Sequence, residues 1–112
     1  MAVIYVTGPL FAGKQNYIQT ALGLDEAAFA ARAVRDVQEL VPGEDLTALA
    51  DRLATYEIVI QTEIGGGIVP MDRAEREKRE AAGRLGCLLA ARADTVIRVC
   101  CGLPQLLKGE WP

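Results

Sequence analysis

A chain of 112 residues, about half of them apolar, is long enough for one hydrophobic core, so a single domain over 1–112 is expected. Acidic residues outnumber basic ones by 15 to 12, a balance without the basic footprint of proteins that bind nucleic-acid backbones. No apolar run is long enough to span a bilayer, and the first residues, MAVIYVTG, have no basic region ahead of an apolar signal core. The expectation is a cytoplasmic protein with no nucleic-acid or membrane partner.

In chain order, Val3-Ile4-Tyr5-Val6 is a short apolar, β-rich run ending at Gly8, which predicts a buried strand. A glycine-bounded turn follows over Gly8–Gln15, and a helix is expected from Gln15 toward Leu22. Asp25 can cap a further helix, along which Ala30, Val34, Val37 and Val41 recur at helical spacing until Pro42-Gly43 breaks it. Behind the acidic start Glu44-Asp45, another apolar stripe runs through Leu46, Leu49, Leu53 and Tyr56. Ile58-Val59-Ile60 reads as a strand covered on both faces, and it empties into Gly65-Gly66-Gly67.

Asp72 and Glu75 have the spacing of a capping pair ahead of a long helix with Ala74, Ala81, Leu85, Leu88 and Leu89 on one side. Glu75 with Arg79, and Glu80 with Arg84, are opposite charges four apart on its exposed side. Val96 to Cys101 is the third strand, stopped by Gly102-Leu103-Pro104. Strands alternating with helices predict an α/β fold: a small P-loop-type, three-layer domain whose narrow, mainly parallel sheet is flanked by helices. Three strands leave two sheet edges, so self-association is expected. Cys87, Cys100 and Cys101 make no metal-binding pattern, there is no histidine to complete one, and Cys100 and Cys101 read as small buried hydrophobes.

Gly8-Pro9-Leu10-Phe11-Ala12-Gly13-Lys14-Gln15 matches GxxxxGK and departs at the final Ser/Thr. Glycines at this spacing let consecutive backbone N–H groups turn inward around phosphate oxygens, while the lysine adds a point charge and the next helix its positive end. Gly8, Gly13, Lys14 and Gln15 are therefore the candidate nucleotide-binding residues. The alternative is a strand-to-helix turn that uses glycine for geometry alone. Gln15 replaces the magnesium-ligating hydroxyl with a longer, weaker ligand, and Pro9 and Phe11 replace small residues and narrow the loop.

Thr62-Glu63-Ile64-Gly65-Gly66-Gly67-Ile68-Val69-Pro70 resembles the EVGxGIVP signature of the bifunctional adenosylcobinamide kinase / adenosylcobinamide-phosphate guanylyltransferase family. The likeness continues through Arg79, Gly83-Arg84-Leu85, Leu89-Ala90-Ala91, Ala93-Asp94, Val96, Val99 and Gly102-Leu103-Pro104 to Lys108, and VTGxxxxGK agrees in order. The resemblance implies a P-loop fold, assembled as an oligomer, acting late in cobalamin biosynthesis. The family phosphorylates adenosylcobinamide with a nucleoside triphosphate, then transfers GMP from GTP through a histidine-linked intermediate.

This chain resembles a shortened member. It has no histidine to be guanylylated, its middle segment is shorter, Gln15 stands for the hydroxyl, and Gly86-Cys87 stand where the family has Asn-Gln. Glu63, at the C-terminal end of a parallel strand, either accepts the substrate hydroxyl proton or holds magnesium through water, or else braces the loop. With Lys14 it makes the candidate catalytic pair, and no residue is assigned to a metal. Arg79 and Arg84 reach phosphate or a neighbouring subunit, or line a solvated helix face; Gly83 and Gly86 permit close helix packing.

The expected function is GTP or ATP binding with residual adenosylcobinamide kinase activity, weakened use of Mg2+ and no guanylyl transfer. The alternative is a non-catalytic nucleotide- or corrinoid-binding protein. The expected partners are nucleotide, adenosylcobinamide, and a second copy or a family paralogue.

Overall fold

The computed structural model describes residues 2–43, 45–64 and 72–112. The elements run β1 (Ile4–Gly8), α1 (Lys14–Leu22), α2 (Glu26–Arg32), β2 (Ala33–Val34), a 3₁₀ turn (Val37–Leu40), α3 (Leu46–Leu53), β3 (Ile58–Thr62), α4 (Arg73–Arg92), β4 (Thr95–Cys100) and β5 (Leu103–Lys108). One sheet has the order β2-β3-β1-β4-β5 and is parallel except at the β4/β5 pair. The α/β fold with a mainly parallel sheet is thus observed. The Gly65-Gly66-Gly67 loop and the Ile68-Val69-Pro70 end of the signature lie outside the described residues.

Side chains leave alternate faces of each strand, so the continuous apolar runs feed two cores at once. Tyr5, Val59 and Val96 pack with Leu49 and Leu53 of α3 and with Leu85 and Leu89 of α4. Val6, Ile58, Ile60, Ile97 and Val99 pack with Ile18 of α1 and Phe29 of α2. Helices therefore cover both faces, giving three layers. Among the described residues, no helix is long and apolar enough to cross a membrane.

The sheet has five strands where three were expected. The helix starting at Asp25 ends at Arg32, because Ala33 and Val34 pair in register with Ile58 and Val59. A β-branched valine suits that extended backbone, and the sheet edge gains more from pairing than the helix would from another turn. Val37 and Val41 still reach the core, one from the 3₁₀ turn and one from the loop beyond it.

At the other edge, Gly102-Leu103-Pro104 turns the chain back instead of stopping it. Cys101 and Gly102 both have positive φ (54° and 74°) between the paired Cys100 and Leu103, as a two-residue primed hairpin requires. Pro104 is tolerated because β5 is an edge strand. Cys101 is consequently exposed and Cys100 only half-buried, so neither is the buried hydrophobe expected. Glu80 pairs with Arg84 as expected, and Arg73 with Glu77 makes a further four-residue pair on α4. Ala74 is exposed, and Tyr56 lies beyond the end of α3 with its ring partly in solvent.

Candidate phosphate-binding site

The loop after β1 is built by two glycines with different tasks. Gly8 has φ 153°, and a Cβ there would run into the Val99 backbone carbonyl of β4. Its own carbonyl accepts the Glu63 N–H at 2.8 Å, which ties the end of β1 to the chain leaving β3. Gly13 has φ 88° and caps α1, where a Cβ would make only ordinary contact with Gly102. The Ala12 carbonyl accepts the Gly102 N–H at 2.8 Å, so the β4/β5 hairpin supports the loop from behind.

The α-helices differ at their starts. Asp25, Asp45 and Asp72 each accept backbone N–H groups at the heads of α2, α3 and α4, whereas Gly13 gives α1 no side-chain cap. Among the described residues the first-turn N–H groups of α1 therefore have no capping side chain, and its positive dipole end faces the loop.

Lys14 opens α1 and is only 7 % exposed. Its Nζ crosses the loop to donate to the Pro9 carbonyl at 2.7 Å, a neutral acceptor. Burial pulls its pKa below that of an ordinary lysine, opposed by the carboxylates of Asp36 and Glu63. Gln15 follows; its Oε1 accepts from Arg35 Nη1 at 2.6 Å and its Nε2 donates to Gln19 Oε1 at 3.2 Å. Phe11, in left-handed backbone (φ 58°), is 94 % exposed and sits at the rim without filling the loop.

Lys14, Gln15, Arg35, Asp36 and Thr62 line one open cleft of about 240 Å³ beside the loop. Arg35 and Asp36 were not legible as site residues in the sequence. They follow β2, a two-residue strand hidden in a helical apolar pattern, and its pairing with β3 is what carries them to the C-terminal edge of the sheet. That edge is where open α/β sheets collect ligands.

Glu63 also stands at this edge, directly after β3, but it is engaged. Arg98 of β4 donates Nε at 2.6 Å and Nη2 at 3.0 Å to its two carboxylate oxygens. Those hydrogen bonds, the Arg98 charge and more distantly Lys14 hold the Glu63 carboxyl below the usual range, against some burial. The structure brings Lys14 and Glu63 into electrostatic range without a bond between them. Beneath Glu63 a second cleft lies between the sheet and α4. There the Tyr5 hydroxyl donates to Gln61 Oε1 at 2.8 Å, and Gln61 Nε2 donates to the Ala82 carbonyl at 2.8 Å. Burial is the main reason that the Tyr5 hydroxyl is pushed up to about 12. Gly86 makes room for this ring, since a Cβ there would press on the Tyr5 oxygen, whereas Gly83 faces open space.

Among the described residues, no three His, Cys, Asp or Glu side chains cluster closely enough to hold a metal ion. With the Gln15 oxygen bonded to Arg35, the donors beside the loop do not fit magnesium in the way a hydroxyl at that position would.

A mainly parallel sheet whose first, central strand runs into a glycine turn, a buried lysine and an uncapped helix defines an α/β protein of the P-loop type. The model of the cobinamide kinase / cobinamide phosphate guanyltransferase family matches residues 30–107, and the chain belongs to that family. It is also similar to the bifunctional adenosylcobalamin biosynthesis protein CobU of Salmonella typhimurium (strain LT2), with 38% identity over 63 residues. That match covers 56% of this chain and 35% of the relative, so the chain spans about a third of the relative's length. The family match begins after the phosphate loop, whose reading therefore rests on its own residues and geometry.

Proposed function

We propose that this chain is a nucleotide-binding protein of cobalamin biosynthesis, which holds the phosphate chain of GTP or ATP on the Gly8–Lys14 loop and phosphorylates adenosylcobinamide without guanylyl transfer. The observation that carries the reading is Lys14. It is a nearly buried cation bonded, among the described residues, to a neutral carbonyl alone, at the head of a helix without a side-chain cap. A phosphate oxygen can replace the Pro9 carbonyl as its acceptor and take up the first-turn N–H groups of α1.

In the transfer step, the acceptor's hydroxyl oxygen bonds to the terminal phosphorus as the bridging P–O bond breaks. Nucleoside diphosphate leaves, and the hydroxyl proton passes to Glu63. The sequence contains no histidine, which removes the nucleophile that the family resemblance implies for guanylyl transfer.

A second reading, a non-catalytic nucleotide- or corrinoid-binding protein, is favoured by the Arg98 clamp. A carboxylate whose two oxygens are both held by a guanidinium is a weak proton acceptor. The protein is incubated with adenosylcobinamide and GTP or ATP, and the products are weighed by mass spectrometry. Adenosylcobinamide phosphate without adenosylcobinamide-GDP supports the kinase. Binding of nucleotide or of adenosylcobinamide with no phosphorylated product selects the second reading, and binding of neither defeats both.

A further inference from the structure

We infer that Arg35 is a second phosphate-binding cation of this site, held in place by Gln15, and that the two together make triphosphate binding independent of magnesium. The inference rests on the phosphate-loop reading and deepens it.

The residue after the lysine decides how such a loop handles its metal. In the motif it is a hydroxyl, short enough to ligate an ion lying against the phosphates; here it is Gln15. Both ends of its amide are occupied, the oxygen by Arg35 and the nitrogen by Gln19. The oxygen a metal would need therefore already accepts from a guanidinium nitrogen 2.6 Å away. A guanidinium and a divalent cation repel each other strongly at such separations, so one excludes the other.

Arg35 is well placed to take over. It lines the same cleft as Lys14 and Gln15, in a chain segment fixed by the pairing of β2 with β3. Arg32, Arg84, Arg92 and Arg98 each donate to a carboxylate. Among the described residues, the hydrogen bond of Arg35 goes to the neutral Gln15 amide, and no ion pair quenches its charge. Its remaining N–H donors are free to grip phosphate in the fork geometry that guanidinium offers and ammonium does not. Asp36, the neighbouring carboxylate on the cleft, favours the charged form of Lys14 but itself repels an incoming anion, so a second cation at Arg35 is what leaves the cleft attractive to phosphate. Lys14 on one side and Arg35 on the other then supply the positive charge that a lysine and a metal supply together in the hydroxyl-bearing loop.

Calorimetric titration of the full chain with GTP, and with base-free tripolyphosphate, tests this in excess EDTA and in excess magnesium chloride. Wild type, Arg35→Met, Arg35→Lys, Gln15→Thr and Lys14→Met are compared, with thermal melts to confirm that each variant is folded. Wild type should bind both ligands with the same Kd in EDTA and in magnesium. Arg35→Met should weaken binding in EDTA by about tenfold or more, the range of one charge-assisted contact. Arg35→Lys, which keeps the charge, should retain part of that affinity, and Gln15→Thr should begin to gain affinity on adding magnesium. The inference is overturned, with nucleotide binding left standing, if wild type binds far more tightly with magnesium or if folded Arg35→Met matches wild type in EDTA. If wild type binds neither ligand under either condition, the phosphate-loop reading fails and the inference with it.

Discussion

Lys14 and Glu63 stand at the same edge of the same sheet, each just beyond a parallel strand, and their charges are in opposite states. Lys14 is buried and bonded to a carbonyl, so among the described residues its charge has no directly bonded counterion and is held there at a cost in desolvation. Glu63 is a third exposed and clamped through both oxygens by Arg98. A costly, uncompensated cation is what an anion site needs before its ligand arrives. A satisfied ion pair is equally what a structural brace looks like. On the proposed function, the phosphate-binding half of the site is therefore poised, while the proton-accepting half has to be released from Arg98 before it can act.

The largest expected effect comes from the residue on which both halves hang. Gly8→Ala drives a methyl group into the Val99 carbonyl at positive φ and disturbs the carbonyl that receives the Glu63 N–H. A destabilisation of about 3–5 kcal/mol is expected, with loss of the folded far-UV signal on mild heating. Gly13→Ala meets no such obstacle and carries only the left-handed backbone penalty of about 1–2 kcal/mol, so it should fold. Equal damage from the two would show that the close approach of β1 to β4 is not the constraint.

Next in size is Lys14→Met, which keeps the buried stem and removes the charge. Triphosphate affinity should fall by about 10- to 100-fold by titration, with little change in melting temperature. The pKa of Lys14 is lowered by burial, so in the free protein it loses its proton below the ordinary 10.5. Affinity in wild type should accordingly fall as pH rises through that lowered value, and Lys14→Met should flatten this dependence.

On the Glu63 side the effects are smaller and have a different pH signature. The Tyr5 hydroxyl is raised from 10.0 to about 12, so its stabilising contribution is intact below 10 and is lost as pH rises toward 12. Tyr5→Phe should remove that alkaline instability. It should also cost about 1–3 kcal/mol at neutral pH by leaving the buried Gln61 oxygen without its donor. The smallest effect on stability is expected for Glu63→Gln. The Glu63 carboxyl is depressed below 4.5, so its contribution is present above 4.5 and fades as pH falls through the lower folded value. Solvent screens a pair this exposed, and the change in acid melting should be slight. A large loss would mean that Glu63 and Arg98 hold the edge together more firmly than their exposure allows.

The central strands, the glycine turn and the long helix before β4 were all legible, because each is a local pattern: a β-branched run, a fixed glycine spacing, an aspartate cap. What escaped was set by pairing at a distance. Val34 fits a helical stripe and a strand equally well, and only Val59 across the sheet decides between them. With that strand went Arg35 and Asp36, which no local signal marks as site residues. Leu103-Pro104 reads as a stop until Cys101 and Gly102 are seen turning the chain onto β4. Glu63 was found by its position at a strand end, whereas its clamp was not, since Arg98 lies 35 residues away in sequence.

The most direct test of the account is phosphorus NMR of GTP titrated with wild-type protein and with Lys14→Met. Binding on the loop predicts that the β- and γ-phosphate resonances shift and broaden with wild type, and that folded Lys14→Met needs about 10- to 100-fold more protein for the same perturbation. Unchanged phosphate resonances with wild type, or equal perturbation by the two proteins, would contradict it.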